Sequence, residues 1–202
     1  MYTLYDYLPS GNGYKVRLVL KALGIAYTLV ETDITAGASR TPEFMARNPN
    51  GRIPLLEVAG KGALAESHAI ISYLAAGSAL VPTDPWQQAH MWQWLCFEQY
   101  NLEPNIGTAR FWLHSLHKTP ESLGAALTEK HLKGRDALRV LEGGLTGRRF
   151  LVADTFSLAD IGLYAYTHVA PEAGIALEDY PAIRAWIGRI EAGLRWAPIT
   201  AR

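Results

Sequence analysis

Residues 1–30 read MYTLYDYLPSGNGYKVRLVLKALGIAYTLV, a strand, a loop, a helix and a second strand in immediate succession. Tyr2 to Tyr7 is a short β-prone run that ends in the turn formers of Pro9 to Gly13. Tyr14 to Leu23 carries apolar residues at helical spacing and is followed by a glycine. Ile25 to Val30 is again strand-like, and a crossover between parallel strands needs a helix of this length. The opening therefore predicts a βαβ unit.

The chain that follows adds a hairpin and a further helix. Residues 48–54 are almost all turn formers, and two short strand-like runs follow them as far as Ala65. Ser67 precedes apolar residues at helical spacing, so we expect it to be the N-cap of a helix. Residues 31–47 show only a weak pattern, to which we assign one helix. The predicted order is βαβ-α-ββα, an α+β domain.

Strand patterns nearly vanish beyond a connector that is rich in proline. We therefore predict a first domain over residues 1–77, a linker over 78–86 and an all-α helical bundle over 87–202. The helix that begins at Ser157-Leu158-Ala159-Asp160 has the pattern of a capping box and is apolar on almost every side. We expect that helix to be buried at the centre of the bundle.

Two finer expectations concern the helical part. Ala89, Trp92 and Cys96 share one apolar stripe, which indicates that Cys96 is a buried and inert thiol. Gly143-Gly144 is expected to disturb a later leucine stripe.

Composition narrows the classes of function. Nineteen basic and nineteen acidic side chains give a net charge of zero. A neutral protein has no long-range electrostatic field that would attract nucleic acid or a membrane surface. The single cysteine excludes an internal disulfide and a thiolate zinc cage. No apolar run reaches the length of a bilayer span. We expect a soluble, cytoplasmic protein without a metal, and an enzyme or an oligomer with a large interior.

Three short motifs carry candidate chemistry. Ser10 to Asn12 lies between a strand and a helix N-terminus, where unpaired amides favour an anion. The peptide bond before Pro54 is expected to be cis, with the Ile53 amide and carbonyl presented to an extended ligand backbone. Glu66-Ser67 supplies an acid for an ammonium group and a hydroxyl for a carboxylate. Each motif alone is also compatible with an ordinary turn or cap.

In combination, these motifs resemble the cytosolic glutathione transferases over essentially the whole chain. That family has a thioredoxin-like domain followed by an all-helical domain. The residues that carry the resemblance are Ser10 to Lys15, Asn48 to Pro54, Glu66 to Ile70 and Phe150 to Asp160. One departure is Ala153, which stands where the family usually has glycine.

The resemblance implies a binding set for glutathione. Its expected members are Ser39, Arg52, Ile53, Pro54, Glu66 and Ser67. Within this set, Ile53 pairs with the cysteinyl backbone beside cis Pro54, Arg52 meets the glycine carboxylate, and Glu66 and Ser67 hold the γ-glutamyl end.

The resemblance also implies a contact to the glutathione sulfur. The expected catalytic residues are Ser10 and Asn12, and the resemblance leaves open which of them contacts the sulfur. A contact from the nearby Tyr5 or Tyr7 is a less well aligned alternative.

The expected activity is attack of the glutathione thiolate on a hydrophobic electrophile. Glutathione is then a co-substrate, and no cofactor is required. Phe111 and Trp112, early in the helical domain, are candidates to line an apolar pocket for the second substrate, and plain core packing is the alternative role for both. A homodimer is implied by the family. The alternatives are glutathione-dependent disulfide reduction and a noncatalytic binding module with the same fold.

Overall fold

The computed structural model describes residues 1–193 and 198–201 of the chain. Within them the chain forms two compact units. Residues 1–78 together with residues 198–201 form the first, and residues 79–193 form the second. None of the helices in the described part is long and apolar enough to cross a membrane.

The first unit is a four-stranded mixed sheet with helices, and it confirms the predicted α+β class. Its elements are β1 Tyr2–Asp6, α1 Gly11–Ala22, β2 Thr28–Glu31, α2 Pro42–Arg47, β3 Leu55–Val58, β4 Gly62–Ala65 and α3 Ser67–Ala75. The strand order is β2-β1-β3-β4, with β1 parallel to β2 and antiparallel to β3. The weakly patterned segment contains α2 and a short 3₁₀ turn.

The core of this unit follows from the apolar spacing in the sequence. Leu4 of β1 pairs in register with Leu56 of β3, and both side chains are fully buried. Val16 and Leu20 recur one turn apart on α1 and are also fully buried. Burial of such side chains is the main stabilising contribution to a domain of this size.

The end of the chain returns to the first unit. Arg17 Nη1 donates to the backbone carbonyls of Ile199 at 2.7 Å and Ala201 at 3.1 Å. Residues 198–201 therefore belong to the first unit, whereas the predicted boundary placed residues 87–202 in the helical domain. A contact between an arginine and carbonyls so distant in sequence has no local pattern from which to predict it.

The second unit is helical in its described part apart from one isolated β-bridge, and it confirms the predicted all-α class. Its α-helices are α4 Pro85–Phe97, α5 Thr108–Arg110, α6 Pro120–Leu145, α7 Leu158–Thr167 and α8 Pro181–Gly193. Two π-helical segments, Glu98–Gly107 and Phe111–Ser115, flank α5.

Helix α7 lies at the centre of this unit, as its apolar sequence predicts, and all ten of its residues are buried. The capping box at Ser157 is confirmed: the Asp160 carboxylate accepts from the Ser157 N–H at 2.9 Å and from its hydroxyl at 3.1 Å. The same carboxylate accepts from the Trp186 indole at 2.9 Å and from the Leu151 N–H at 3.1 Å. Burial nevertheless raises the pKa of Asp160 to about 6.

The expectation for Gly143-Gly144 was wrong, because α6 continues through both glycines to Leu145. A Cβ on Gly144 would lie 2.6 Å from the Trp94 ring, whereas a Cβ on Gly143 would meet nothing within 4 Å. The glycine at 144 therefore admits a ring from α4 and does not break the helix.

The stripe of Ala89, Trp92 and Cys96 was also predicted wrongly. All three are exposed within this chain, and the α4 residues that are buried are Met91 and Leu95. A periodicity of 3.6 residues identifies an apolar face but does not say whether that face packs inside the same chain.

Candidate functional site

The N-terminus of α1 is built by Ser10. Its extended backbone places it at the N-cap, where its hydroxyl oxygen accepts from the Gly13 N–H at 3.3 Å. Its carbonyl accepts from the Tyr14 N–H at 2.9 Å. Within the described chain, the first-turn N–H groups of Gly11 and Asn12 are left without an acceptor. This turn is therefore suited to an anion.

Asn12 connects this turn to the start of α3. Its side-chain Oδ1 accepts from Lys15 Nζ at 2.8 Å and from the Ser67 hydroxyl at 3.3 Å. The first and third sequence motifs, 55 residues apart, therefore meet at one amide oxygen. Lys15 Nζ also lies 3.4 Å from His68 Nε2, so α1 and α3 are joined by a polar network.

Ser67 is not the N-cap that the sequence predicts. It is the first residue of α3, and Glu66 occupies the cap position with a positive φ of 68°. The Ser67 hydroxyl is buried and points to Asn12, while the Glu66 side chain is exposed. An acid and a hydroxyl still lie side by side at this helix start.

The Asp6 carboxylate lies directly against Gly13 in the first turn of α1. A Cβ on Gly13 would lie 1.6 Å from Asp6 Oδ1, so this position admits only glycine while the carboxylate stays in place. Arg17 Nε donates to Asp6 Oδ2 at 2.9 Å, and Arg17 Nη2 donates to the Leu8 carbonyl at 2.6 Å. Burial raises the pKa of Asp6 to about 7, against the opposing effect of Arg17.

The second motif forms an ordered turn ahead of β3. The Ile53–Pro54 bond is cis, as predicted. Asn48 Nδ2 donates to the Arg52 carbonyl at 2.8 Å, and the Arg52 side chain is exposed. Arg40 Nη1 donates to the Asn50 carbonyl at 3.0 Å, which brings a second guanidinium to this turn.

Two other candidates are constrained by their surroundings. Ser39 is only 4% exposed, so little of its side chain is accessible to a ligand. The Tyr5 hydroxyl donates to Glu57 at 2.9 Å, and Arg47 lies over the Tyr5 ring. Burial and this hydrogen bond raise the pKa of Tyr5. Tyr5 is thus held in a cluster with α2 and β3, unlike Ser10 and Asn12.

The candidates in the second unit lie on the second π-helical segment. Phe111 and Trp112 are half-buried there. His114 Nδ1 lies 3.6 Å from Glu172, which itself accepts from Arg110 Nε at 2.6 Å. Among the residues described, no three His, Cys, Asp or Glu side chains are grouped as metal ligands.

Sequence reasoning missed Lys15, His68, Asp6 and Arg17. The sequence carried a signal for two of them, because Lys15 and Arg17 interrupt the apolar run of α1. The structure shows that both side chains are buried. A buried cation needs an acceptor, so a lysine three residues after Asn12 indicates a local partner. The contacts to His68 and Asp6 depend on the tertiary fold.

Comparison with known proteins agrees with both units. The model for the N-terminal domain of glutathione S-transferases matches residues 1–76, and the model for the C-terminal domain matches residues 86–193. A crystal structure described as a possible glutathione S-transferase from Rhodopseudomonas palustris has 43% identity and a TM-score of 0.96. The alignment covers 100% of this chain and 98% of that one.

Two further relatives represent other branches. The disulfide-bond oxidoreductase YfcG of Escherichia coli is 29% identical, over 95% of this chain and 91% of YfcG. The structure of Ure2p in complex with glutathione is 27% identical with a TM-score of 0.83, over 98% of this chain and 96% of the chain in that structure.

The first unit has the mixed sheet of a thioredoxin-like domain, with an anion-suited turn at the start of α1. An all-helical domain follows it in the chain. The chain belongs to the glutathione S-transferase family.

Proposed function

We propose that this protein binds glutathione in its first unit and stabilises the thiolate for attack on a hydrophobic electrophile. The observation that carries the proposal is the 3.3 Å hydrogen bond between Ser67 and Asn12. It joins Ser67, which is proposed for the γ-glutamyl end, to Asn12, which is proposed for the sulfur, and so supports one continuous ligand site. Family membership and the glutathione complex of Ure2p support the same ligand.

The energetics are sufficient without a metal or a general base. A thiol with a pKa of about 8.5 needs a depression of about 2 units, or about 2.7 kcal/mol, to be mainly ionised near neutral pH. A helix N-terminus contributes about 0.3–1 kcal/mol, and a hydrogen bond to a charged acceptor about 1.5–3 kcal/mol. One side-chain donor together with the start of α1 meets this requirement.

Ser10 and Asn12 are the proposed donors to the sulfur. The Ser10 hydroxyl uses an oxygen lone pair to accept from Gly13, so its own proton is available to the thiolate. The amide group of Asn12 has two N–H bonds on Nδ2, while its oxygen is occupied by Lys15 and Ser67. Tyr5 is excluded from this proposal by its bond to Glu57.

The rest of the glutathione site is proposed from the family resemblance. Glu66 pairs with the γ-glutamyl ammonium, and α3 with Ser67 receives its carboxylate. The Ile53 backbone pairs with the cysteinyl residue beside Pro54, Arg52 meets the glycine carboxylate, and Ser39 adds a further contact. Phe111 and Trp112 are proposed to line the pocket of the second substrate.

The reaction balances with glutathione as the only co-substrate. The thiolate forms a sulfur–carbon bond with the electrophile, and the leaving group departs with the electron pair of the bond that breaks. The thiol proton is released to solvent when glutathione binds as the thiolate.

The direct test is the pKa of bound glutathione, followed by the ultraviolet absorbance of the thiolate. We expect a value about 2 units below that of free glutathione in the wild type. Ser10→Ala or Asn12→Ala should raise it, and Tyr5→Phe is the control that should leave it unchanged. If bound glutathione keeps the pKa of the free thiol, the proposal fails.

Disulfide reduction is a second candidate, favoured by the similarity to YfcG along nearly the whole chain. Here the thiolate attacks a disulfide sulfur, forms a mixed disulfide and releases one thiolate, and a second glutathione then resolves the mixed disulfide. Turnover of 2-hydroxyethyl disulfide against a chlorinated aromatic separates the two activities. Activity on neither, with glutathione still retained, would favour a noncatalytic binding module.

A homodimer through α4 is proposed as the working form. Trp86 and Trp92 are 73% and 43% exposed, and they share the apolar stripe of α4 with Ala89 and Cys96. Trp92→Glu should convert the dimer to monomer in sedimentation. Val140→Glu, at a 52% exposed position on α6, is the control. A wild type that sediments as a monomer contradicts the dimer.

A further inference from the structure

Lys15 contacts the side-chain oxygen of Asn12. It follows Asn12 by three residues on α1 and is fully buried. Its Nζ donates to Asn12 Oδ1 at 2.8 Å and lies 3.4 Å from His68 Nε2. An ammonium group only donates, so the atom that faces it must be the amide oxygen and not the nitrogen.

The other end of the amide is then a donor. The Ser67 hydroxyl supplies a second hydrogen to the same oxygen, at 3.3 Å. No residue in the described ranges 1–193 and 198–201 accepts a hydrogen bond from Asn12 Nδ2. Because Asn12 is the second residue of α1, its donor group belongs to the same turn as the unpaired N–H of Gly11.

We propose that Lys15 is a positioning residue that holds Asn12 Oδ1 and thereby turns the Asn12 Nδ2 hydrogens toward the glutathione sulfur. The inference rests on the proposed function and adds a residue to it. An amide rotated by half a turn would present oxygen lone pairs to the thiolate and would oppose ionisation. Lys15 prevents this rotation without contacting the ligand.

The test is a double-mutant cycle on the pKa of bound glutathione. Lys15→Met should raise this pKa by about 1–2 units, a 10–100-fold change in acid dissociation, because one hydrogen bond to the thiolate is lost. Asn12→Ala should have a similar effect, and the double variant should be no worse than Asn12→Ala alone. Affinity for glutathione at a pH where the thiol is protonated should stay close to that of the wild type.

Lys21→Met is the matched control. Lys21 is exposed near the other end of α1, so its loss removes one positive charge without touching Asn12. It should leave the pKa of bound glutathione unchanged. Lys15→Arg keeps a donor and a charge, and should recover part of the loss.

Two results would overturn the inference while the proposed function stands. One is an unchanged thiol pKa in Lys15→Met. The other is an increase in the thiol pKa that is the same when Lys15→Met is added to the wild type and to Asn12→Ala. That result would mean that Lys15 acts through its own charge. A wild type with an ordinary thiol pKa would instead overturn both proposals.

Asn12→Asp keeps the inference testable if Lys15→Met does not fold. The aspartate retains an oxygen toward Lys15 but replaces the donor end with a second oxygen. The thiol pKa should then rise above that of Asn12→Ala. An equal or lower pKa would contradict the claim that the donor end faces the sulfur.

Discussion

Gly13 stands at a position where a single methyl group matters, because the Asp6 carboxylate occupies the space that a Cβ would need. Asp6 is unable to move away easily, since Arg17 and the Tyr7 N–H both hold it. The resulting contact links strand β1 to the first turn of α1. The shape of the candidate sulfur site therefore depends on a residue that carries no chemistry itself.

Gly13→Ala is expected to destabilise the protein by about 2–3 kcal/mol through overpacking. Gly188→Ala is the control, because a Cβ there meets nothing within 4 Å on α8. That control should be neutral or stabilise by up to about 1 kcal/mol. Chemical denaturation measures both, and equal stabilities of the two variants would contradict the assigned contact.

Ala153 has a positive φ of 48°, a conformation that favours glycine. This explains in physical terms why a glycine is usual at this position of the family. Asp154 follows with a φ of 54°, and its carboxylate accepts from the N–H groups of Arg149 and Phe150. The turn is therefore held by side-chain hydrogen bonds despite the alanine.

Ala153→Gly should stabilise the protein by about 0.5–1 kcal/mol, since relief of the left-handed alanine exceeds the added entropy of the unfolded chain. Ala185→Gly, at an exposed position of α8, should destabilise it by a similar amount. Thermal unfolding compares the two. A loss of stability in Ala153→Gly would show that the turn does not strain the alanine.

The contact between α4 and α6 depends on which of two adjacent glycines faces Trp94. Gly144 lies under the Trp94 ring, and Gly143 faces open space. Two neighbouring residues of equal helix propensity thus have different environments. Only the rotation of α6 against α4 distinguishes them.

Gly143→Ala should stabilise α6 by about 0.5–1 kcal/mol, the usual difference in helix propensity. Gly144→Ala should instead cost about 1–3 kcal/mol, because the Trp94 ring must shift. The pair serves as its own control, and its near-ultraviolet circular dichroism should change only for Gly144→Ala. The opposite order of stabilities would refute this packing.

Across the protein, buried titratable groups have opposite effects on the free energy of unfolding between pH 4 and 6. The pKa of Asp160 is raised to about 6, so its contribution to stability is full below pH 4 and is lost as pH rises through 6. Burial lowers the pKa of His168 to about 4, so its contribution is present above pH 6.5 and is lost as pH falls. Asp6, with a pKa of about 7, adds to the first effect.

Removing His168 should therefore make stability fall more steeply as pH rises from 4 to 6. Between pH 4 and 6, the free energy of unfolding should fall by at most about 3 kcal/mol more in the variant than in the wild type. His168→Gln is the variant, and the midpoint of thermal unfolding against pH is the measurement. Asp160→Asn should change the slope in the opposite direction, and identical slopes in all three proteins would contradict these pKa values.

The amino-acid sequence determined the classes of both units, the order βαβ-α-ββα, the cis bond before Pro54 and the cap of α7. Each of these depends on a few neighbouring residues: apolar spacing, turn formers or a cap motif. Local interactions of this kind are fixed by residues within one or two turns of each other. They can therefore be read without knowing how the elements pack.

Tertiary packing, and no local pattern, explains why Ser67 points to Asn12, why α4 exposes its stripe and why residues 198–201 return to Arg17. It also brought His68 and Lys15 together. These facts depend on the relative rotation and approach of elements distant in sequence. Periodicity defines the faces of a helix, but the packing free energy of all elements together selects the neighbour of each face.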